Sequence, residues 1–215
     1  MSKQAPRKRL PKAERRELIE LAATEVFARR GYHGASIAEI AERSGVSVPV
    51  VYDHFESKRQ LHRRLLERTR GELLDMWREQ LGGEEPAEVR IPRAIEAWVA
   101  YVEGYPFAAR MFLRDFSGDP EVEADHKEVQ DQARAALAVI LGQEPGARNI
   151  AGAEDTESLE MAAEVMRAGL SGLAVWWSEH PHVPRERIVQ TAINTIWIGF
   201  ERVRRGEAWA PAAGN

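Results

Sequence analysis

Few side chains in this 215-residue sequence have the type and spacing to do bond-making chemistry. There is no cysteine, which removes thiolate nucleophiles, cysteine-held metals, disulfides and thiol redox sensing together. Gly169-Leu170-Ser171-Gly172 approaches a nucleophile elbow, but Leu173 stands where its last glycine belongs. The sequence contains neither a glycine-rich phosphate loop nor a His-Glu-x-x-His pair. An enzyme is therefore not the reading, and no cofactor is implied. Oxygen ligands for a metal occur at Asp119, Glu121, Glu123 and Asp125 beside His126, and imidazoles at His180 and His182. A metal-responsive protein is thus one alternative, although an acidic run before a helix ordinarily serves the helix dipole and stays solvated.

The remaining polar groups are suited to binding. Ser36 is followed three residues on by Glu39, and Ser57 by Gln60, the capping-box spacing that marks a helix start. Between these signals, Ser44-Gly45-Val46 allows a sharp reversal in which Gly45 takes the left-handed conformation. A second short helix then runs from Ser47 to Asp53, with Pro49 tolerated in the first turn. Ile40, Ala41, Val46 and Val51 supply the inward face. Two short helices about a glycine turn within the net-positive first 70 residues make a helix-turn-helix. Base reading falls to Ser47, Val48, Pro49 and Val50. The Tyr52 hydroxyl, the Lys58 charge and the amides at the start of the helix beginning near 57 suit phosphates. Residues 47–56 hold no Lys or Arg, so hydroxyl contacts, thymine-methyl contacts and DNA shape outweigh arginine-to-guanine reading.

The elements that must position these groups are all helical. Apolar residues at helical spacing (Leu18, Ile19, Ala22, Ala23, Val26, Phe27) predict a helix over 12–30, closed by Gly31. A linking helix follows over 57–80, then helices near 87–104, 106–116, 119–142, 156–179 and 184–205, with a loop at 143–155. The fold class is all-α: an N-terminal three-helix helix-turn-helix DNA-binding domain plus a larger helical domain. The division is a basic arm at 1–11, the helix-turn-helix domain at 12–56, the linking helix at 57–80 and a ligand-binding and dimerisation domain at 81–215. Charge follows it. Residues 1–70 carry 16 Lys and Arg against 9 Asp and Glu, net +7, and the rest carries 14 against 25, net −11. A basic module for a polyanion is joined to an acidic body.

The run 31–61, GYHGASIAEIAERSGVSVPVVYDHFESKRQL, resembles the DNA-binding signature of TetR-type regulators. Gly31-Tyr32, Ser36-Ile37, Ile40-Ala41, Gly45-Val46-Ser47, Tyr52, Phe55, Ser57-Lys58 and Leu61 fall in register, and the helix at 12–30 fits. Beyond this first third, the chain is similar only in helix layout. The resemblance implies that the third helix enters the major groove and that Tyr52, His54 and Lys58 meet phosphates. The expected DNA-contacting set is Ser36, Ile37, Ser47, Val48, Pro49, Val50, Tyr52, His54 and Lys58. It also implies a ligand-responsive regulator, a repressor released from its operator by a small inducer.

The larger domain carries two features of its own. The helix at 156–179 is apolar on two sides, one through Leu159, Ala163, Met166, Leu170, Leu173 and Trp177, the other through Met161, Val165, Ala168, Gly172 and Trp176. The last helix repeats this, with Ile188, Ala192, Thr195 and Gly199 on one side and Val189, Ile193, Ile196, Trp197, Phe200 and Val203 on the other. A second apolar face must also leave water, so a two-fold homodimer through these helices is expected, with Val165, Ala168, Gly172, Trp176, Ile193, Ile196, Trp197 and Phe200 at the interface. Trp98, Tyr101, Tyr105, Phe107, Met111, Phe112 and Phe116 crowd between 95 and 116 and, with Met166 and Trp177, are the expected lining of a pocket for a largely apolar ligand. Arg110 and His126 offer polar contacts. No apolar run approaches the roughly 20 residues a bilayer requires, so the expectation is a cytoplasmic protein without membrane contact, whose partners are duplex DNA, an inducer and a second copy. A non-DNA helical adaptor is the other alternative.

Overall fold

A computed structural model of the chain describes residues 11–113, 118–143, 149 and 156–207. Every regular element among them is helical. In order they are α1 (Lys12–Gly34), α2 (Ile37–Ser44), α3 (Val48–Tyr52), α4 (Lys58–Leu81), α5 (Ala87–Gly104), α6 (Pro106–Leu113), α7 (Pro120–Gly142), α8 (Thr156–Glu179) and α9 (Arg185–Ala192). A π-helical turn, Ile193–Trp197, joins α9 to α10 (Ile198–Arg204). Most of the loop expected at 143–155, residues 1–10 of the basic arm, and Phe116 lie outside the described residues.

Local signals explain the ends. Gly31, with φ 70° and ψ 175°, breaks α1 where the cap was expected, and one further turn carries the chain to Gly34. Ser36 Oγ accepts the Glu39 amide at 3.1 Å. Gly45 closes α2 in the left-handed conformation, φ 70°. At α4 the capping works in both directions: Ser57 Oγ accepts the Gln60 amide at 3.0 Å, and Gln60 Oε1 accepts the Glu56 amide at 2.7 Å.

Two apolar cores result. One lies under α1 to α3, around Ile19, Val26, Phe27, Ile40, Val51, Phe55, Leu61 and Leu66. The other, around Ile91, Ile95, Trp98, Met166, Leu170, Trp177 and Trp197, holds α5, α8 and the last helices together. α4 contributes to both, through Leu61, Leu65 and Leu66 at one end and Trp77 and Leu81 at the other. The head's core also takes in Met111 and Phe112 of α6 and Val129 of α7.

Carboxylates clamp α4 on two sides. Glu20 of α1, 6% exposed at its side chain, faces Arg68 at 3.0 Å and Arg64 at 3.6 Å. Asp125 of α7, 5% exposed at its side chain, takes Arg59 through both oxygens at 2.5 and 2.9 Å and Arg63 at 2.8 Å. Each pair of arginines is four apart along one helix, so neighbouring turns present them together. None of the described helices is long and apolar enough to cross a membrane.

Candidate nucleic-acid interface and effector cavities

On α3, Val51 is completely buried under the head, which turns Ser47, Val48, Pro49 and Tyr52 outward. Ser47 starts the helix without using its hydroxyl in a cap bond, leaving that group for another partner. Tyr52 is half exposed. Val50 and Ile37 are intermediate and Ser36 exposed, Ile37 packing against the head's core. The outward surface of α3 is thus hydroxyl and methyl.

The positive charge missing from 47–56 comes from α1. Arg16 lies over the Phe55 ring, 5.1 Å from its centroid. Burial and then the nearby charges of Lys12, Arg15 and Arg16 hold the His54 imidazole below its usual pKa. The first turns of α1 and the end of α3 therefore form one basic edge. Lys12, Arg15 and Arg16 were absent from the expected contacts because their proximity to residue 54 is tertiary.

Lys58 is placed otherwise than expected. Its ammonium donates to the Tyr32 carbonyl at 2.8 Å and the Ala35 carbonyl at 3.1 Å, and sits 4.4 Å from the Tyr32 ring centroid. It closes the α1–α2 corner, because the chain beyond Gly31 leaves those carbonyls without helical partners.

The expected ligand residues do not share one chamber. Phe107 and Trp177 line a cavity of about 330 Å³ between α5, α6 and α8, with Val102, Ala109, Leu113 and Ala174. Met111 belongs to a second cavity, about 560 Å³, between α1, α6 and α7. Arg110 lines both, and His126 lines the second. Tyr105 lies at a third, smaller opening beside α4. Trp98 and Met166 are buried in the body's core, Phe112 in the head's, and Tyr101 donates its hydroxyl to Glu72 of α4 at 2.7 Å. Aromatic spacing marks residues that leave water without saying what they pack against.

On the outer side of α8, Met161 and Val165 are more than 60% exposed and Trp176 is 45% exposed, in line with the exposed Ala168 and Gly172. Ile193, Ile196 and Phe200 are half-buried against the body. Trp197, expected at the interface, is 5% exposed within its own core, and Ile198, 47% exposed, stands outward instead. The π turn is the cause: buried positions run Ile188, Ala192, Trp197, Glu201, and the five-residue step rotates the inward face past the line that 3.6-residue periodicity projects.

The acidic run is occupied by structural tasks. Asp119 caps α7 through the Glu121 and Val122 amides, Glu123 accepts the Gly118 amide, and Asp125 holds the two arginines of α4. Among the described residues no cluster of three metal-ligating side chains occurs.

Residues 19–65 match the family profile of the bacterial regulatory proteins, tetR family. The HTH-type transcriptional activator FasR of Mycolicibacterium smegmatis is 29% identical over 196 residues, 91% of this chain and 87% of FasR. Residues 19–65 thus carry the DNA-binding region of that family. The HTH-type transcriptional repressor BepR of Brucella suis is 41% identical over 58 residues, 27% of this chain and 28% of BepR. The transcriptional regulator FadR from Bacillus subtilis, solved in complex with stearoyl-CoA, superposes with a TM-score of 0.70 at 19% identity, covering 88% of this chain and 98% of that one. The chain is a DNA-binding transcription regulator of this type and not an enzyme.

Proposed function

We propose that this chain is a homodimeric repressor that holds a pseudo-palindromic operator when unliganded and releases it when a small, largely apolar molecule fills the cavity between α5, α6 and α8. Residues 12–56 read the DNA, α4 links, and residues 81–215 bind ligand and partner, the whole acting in the cytoplasm. One observation carries this reading. α6 walls the 330 Å³ cavity with Phe107, Arg110 and Leu113, while its Met111 and Phe112 are buried in the head's core. A molecule that shifts α6 therefore shifts the packing under α1 and α4 and resets the spacing of the two heads. Stearoyl-CoA in the Bacillus subtilis FadR complex supports a long apolar ligand.

Ser47, Val48, Pro49 and Val50 are the proposed base readers. Tyr52, His54 and the basic start of α1 are the proposed phosphate edge, with Ser36 and Ile37 beside it. Selection of bound sequences from a random duplex pool tests the class and the symmetry together. The expected result is a dyad with half-sites about 34–36 Å apart, or a multiple of that. Sites without dyad symmetry, or no enrichment, overturn it. The likeness to the activator FasR favours a second reading, in which the bound dimer raises transcription. Transcription in vitro from a template carrying the selected site separates the two by the sign of the effect.

A further inference from the structure

The cavity between head and body differs in character from the apolar one beside it. Arg29 and Arg30 of α1 and Arg110 of α6 line it, against one lining carboxylate, Glu123, which already accepts the Gly118 amide at 3.0 Å. Arg110 is exposed and has no ion-pair partner among the described residues. Arg29 pairs at 3.0 Å with Glu25, one turn away on the same helix, and its guanidinium lies 5.0 Å from the centre of the Phe107 ring. Arg30 is 3.8 Å from Glu39, beyond hydrogen-bond reach. Both guanidiniums are more than half exposed at their side chains, and pairs so open to water on one side contribute little.

The two cavities share a wall. Arg110, Leu113 and Val175 line both, and Phe107, under Arg29, lines the apolar one. An apolar chain lying in the 330 Å³ cavity would therefore end beside three guanidiniums, whose planar donor forks suit carboxylate or phosphate. We propose that the ligand is an amphipathic anion, its apolar chain between α5, α6 and α8 and its anionic head on Arg110, Arg29 and Arg30. This rests on the ligand-responsive reading above and deepens it. Because Arg29 and Arg30 belong to the DNA-reading head and Arg110 to the body, the ligand's head group bridges the two and acts on α1 directly as well as through α6.

The test uses the full chain and three probes with the same ten-carbon tail: decanoate, decanoyl-CoA and the neutral 1-decanol. Affinity is measured by calorimetry for the wild type, Arg110→Gln and Arg29→Gln, with operator affinity in the absence of probe measured for each protein. At least one anionic probe should bind tenfold or more tightly than decanol, and each substitution should cut that ratio at least threefold while probe-free operator affinity stays within twofold. Preference for decanoate alone assigns the head as a free carboxylate. Preference for decanoyl-CoA alone assigns it to the phosphates of a thioester carrier. Decanol binding as well as either anion, a ratio unchanged in both variants, or no binding of any probe overturns the inference while operator binding persists. Loss of operator binding by the wild type would instead strike the regulator reading itself.

Discussion

Two side chains show how far a residue's type predicts its work. Lys58 has the charge for a phosphate, but its ammonium is spent on the Tyr32 and Ala35 carbonyls. Lys58→Met keeps the stem and removes the donors, leaving two partly buried carbonyls unpaired. A stability loss of about 1–3 kcal/mol in denaturant melts is expected, with the salt dependence of operator affinity unchanged. A slope shallower by roughly one unit would return Lys58 to the phosphate role. His62 carries the opposite lesson. Packed against Phe27 and Tyr32, it is buried, and that burial, helped by His126, pushes its pKa down to about 4. The unfolded chain binds the proton near pH 6.5, so stability is complete above that pH and falls as pH drops toward 4, by at most about 3 kcal/mol. Melting temperature against pH should slope across this window and flatten in His62→Phe. Asp125, held below the usual carboxylate range chiefly by Arg59, adds its own loss only below its ordinary 3.8. Neither role was legible from sequence, since both depend on where α1 ends against α4. The outward Ser47, Val48 and Tyr52 were legible, because the burial of Val51 fixes the other face of so short a helix.

At the scale of elements, the capping boxes and the glycine turn placed the starts of α2, α3 and α4 to within a residue, because those signals act within one turn of the chain. The π turn is not legible in the sequence, because projection at 3.6 residues per turn assumes the regularity that it breaks. Its effect is specific. Ile198→Glu should yield a folded protein that sediments as a monomer, as should Val165→Glu on the exposed stripe of α8. Trp197→Ala, by contrast, removes a core side chain and should cost about 3–5 kcal/mol in urea unfolding. A stable dimer from Ile198→Glu and Val165→Glu combined would refute the interface. Gly169 belongs to the same junction: a methyl there would stand 3.0 Å from Ile196 Cδ1, so its smallness serves packing within one chain, whereas Gly172 faces open space.

In the whole molecule, α4 is held from the head by Glu20 and from the body by Asp125. Asp125→Asn removes the charge that gathers Arg59 and Arg63. Both guanidiniums are more than a third exposed at their side chains and can turn to water, so the cost should fall to about 1–2 kcal/mol, below the 3–5 of a fully buried pair. Hydrogen exchange should quicken in the first half of α4 and in α7 while α8 keeps its protection. Unchanged exchange in α4 would show that the apolar contacts alone fix it. The uneven charge along the chain has a further consequence. A first third of net +7, residues 1–70, joined to a remainder of net −11 makes the chain an electric dipole, and the field of a duplex exerts a torque on it before any contact is made. Molecules arriving body-first are repelled and turned, so a larger share of encounters begin with the heads against the DNA, and the gain in association rate should fade as salt shortens the reach of that field.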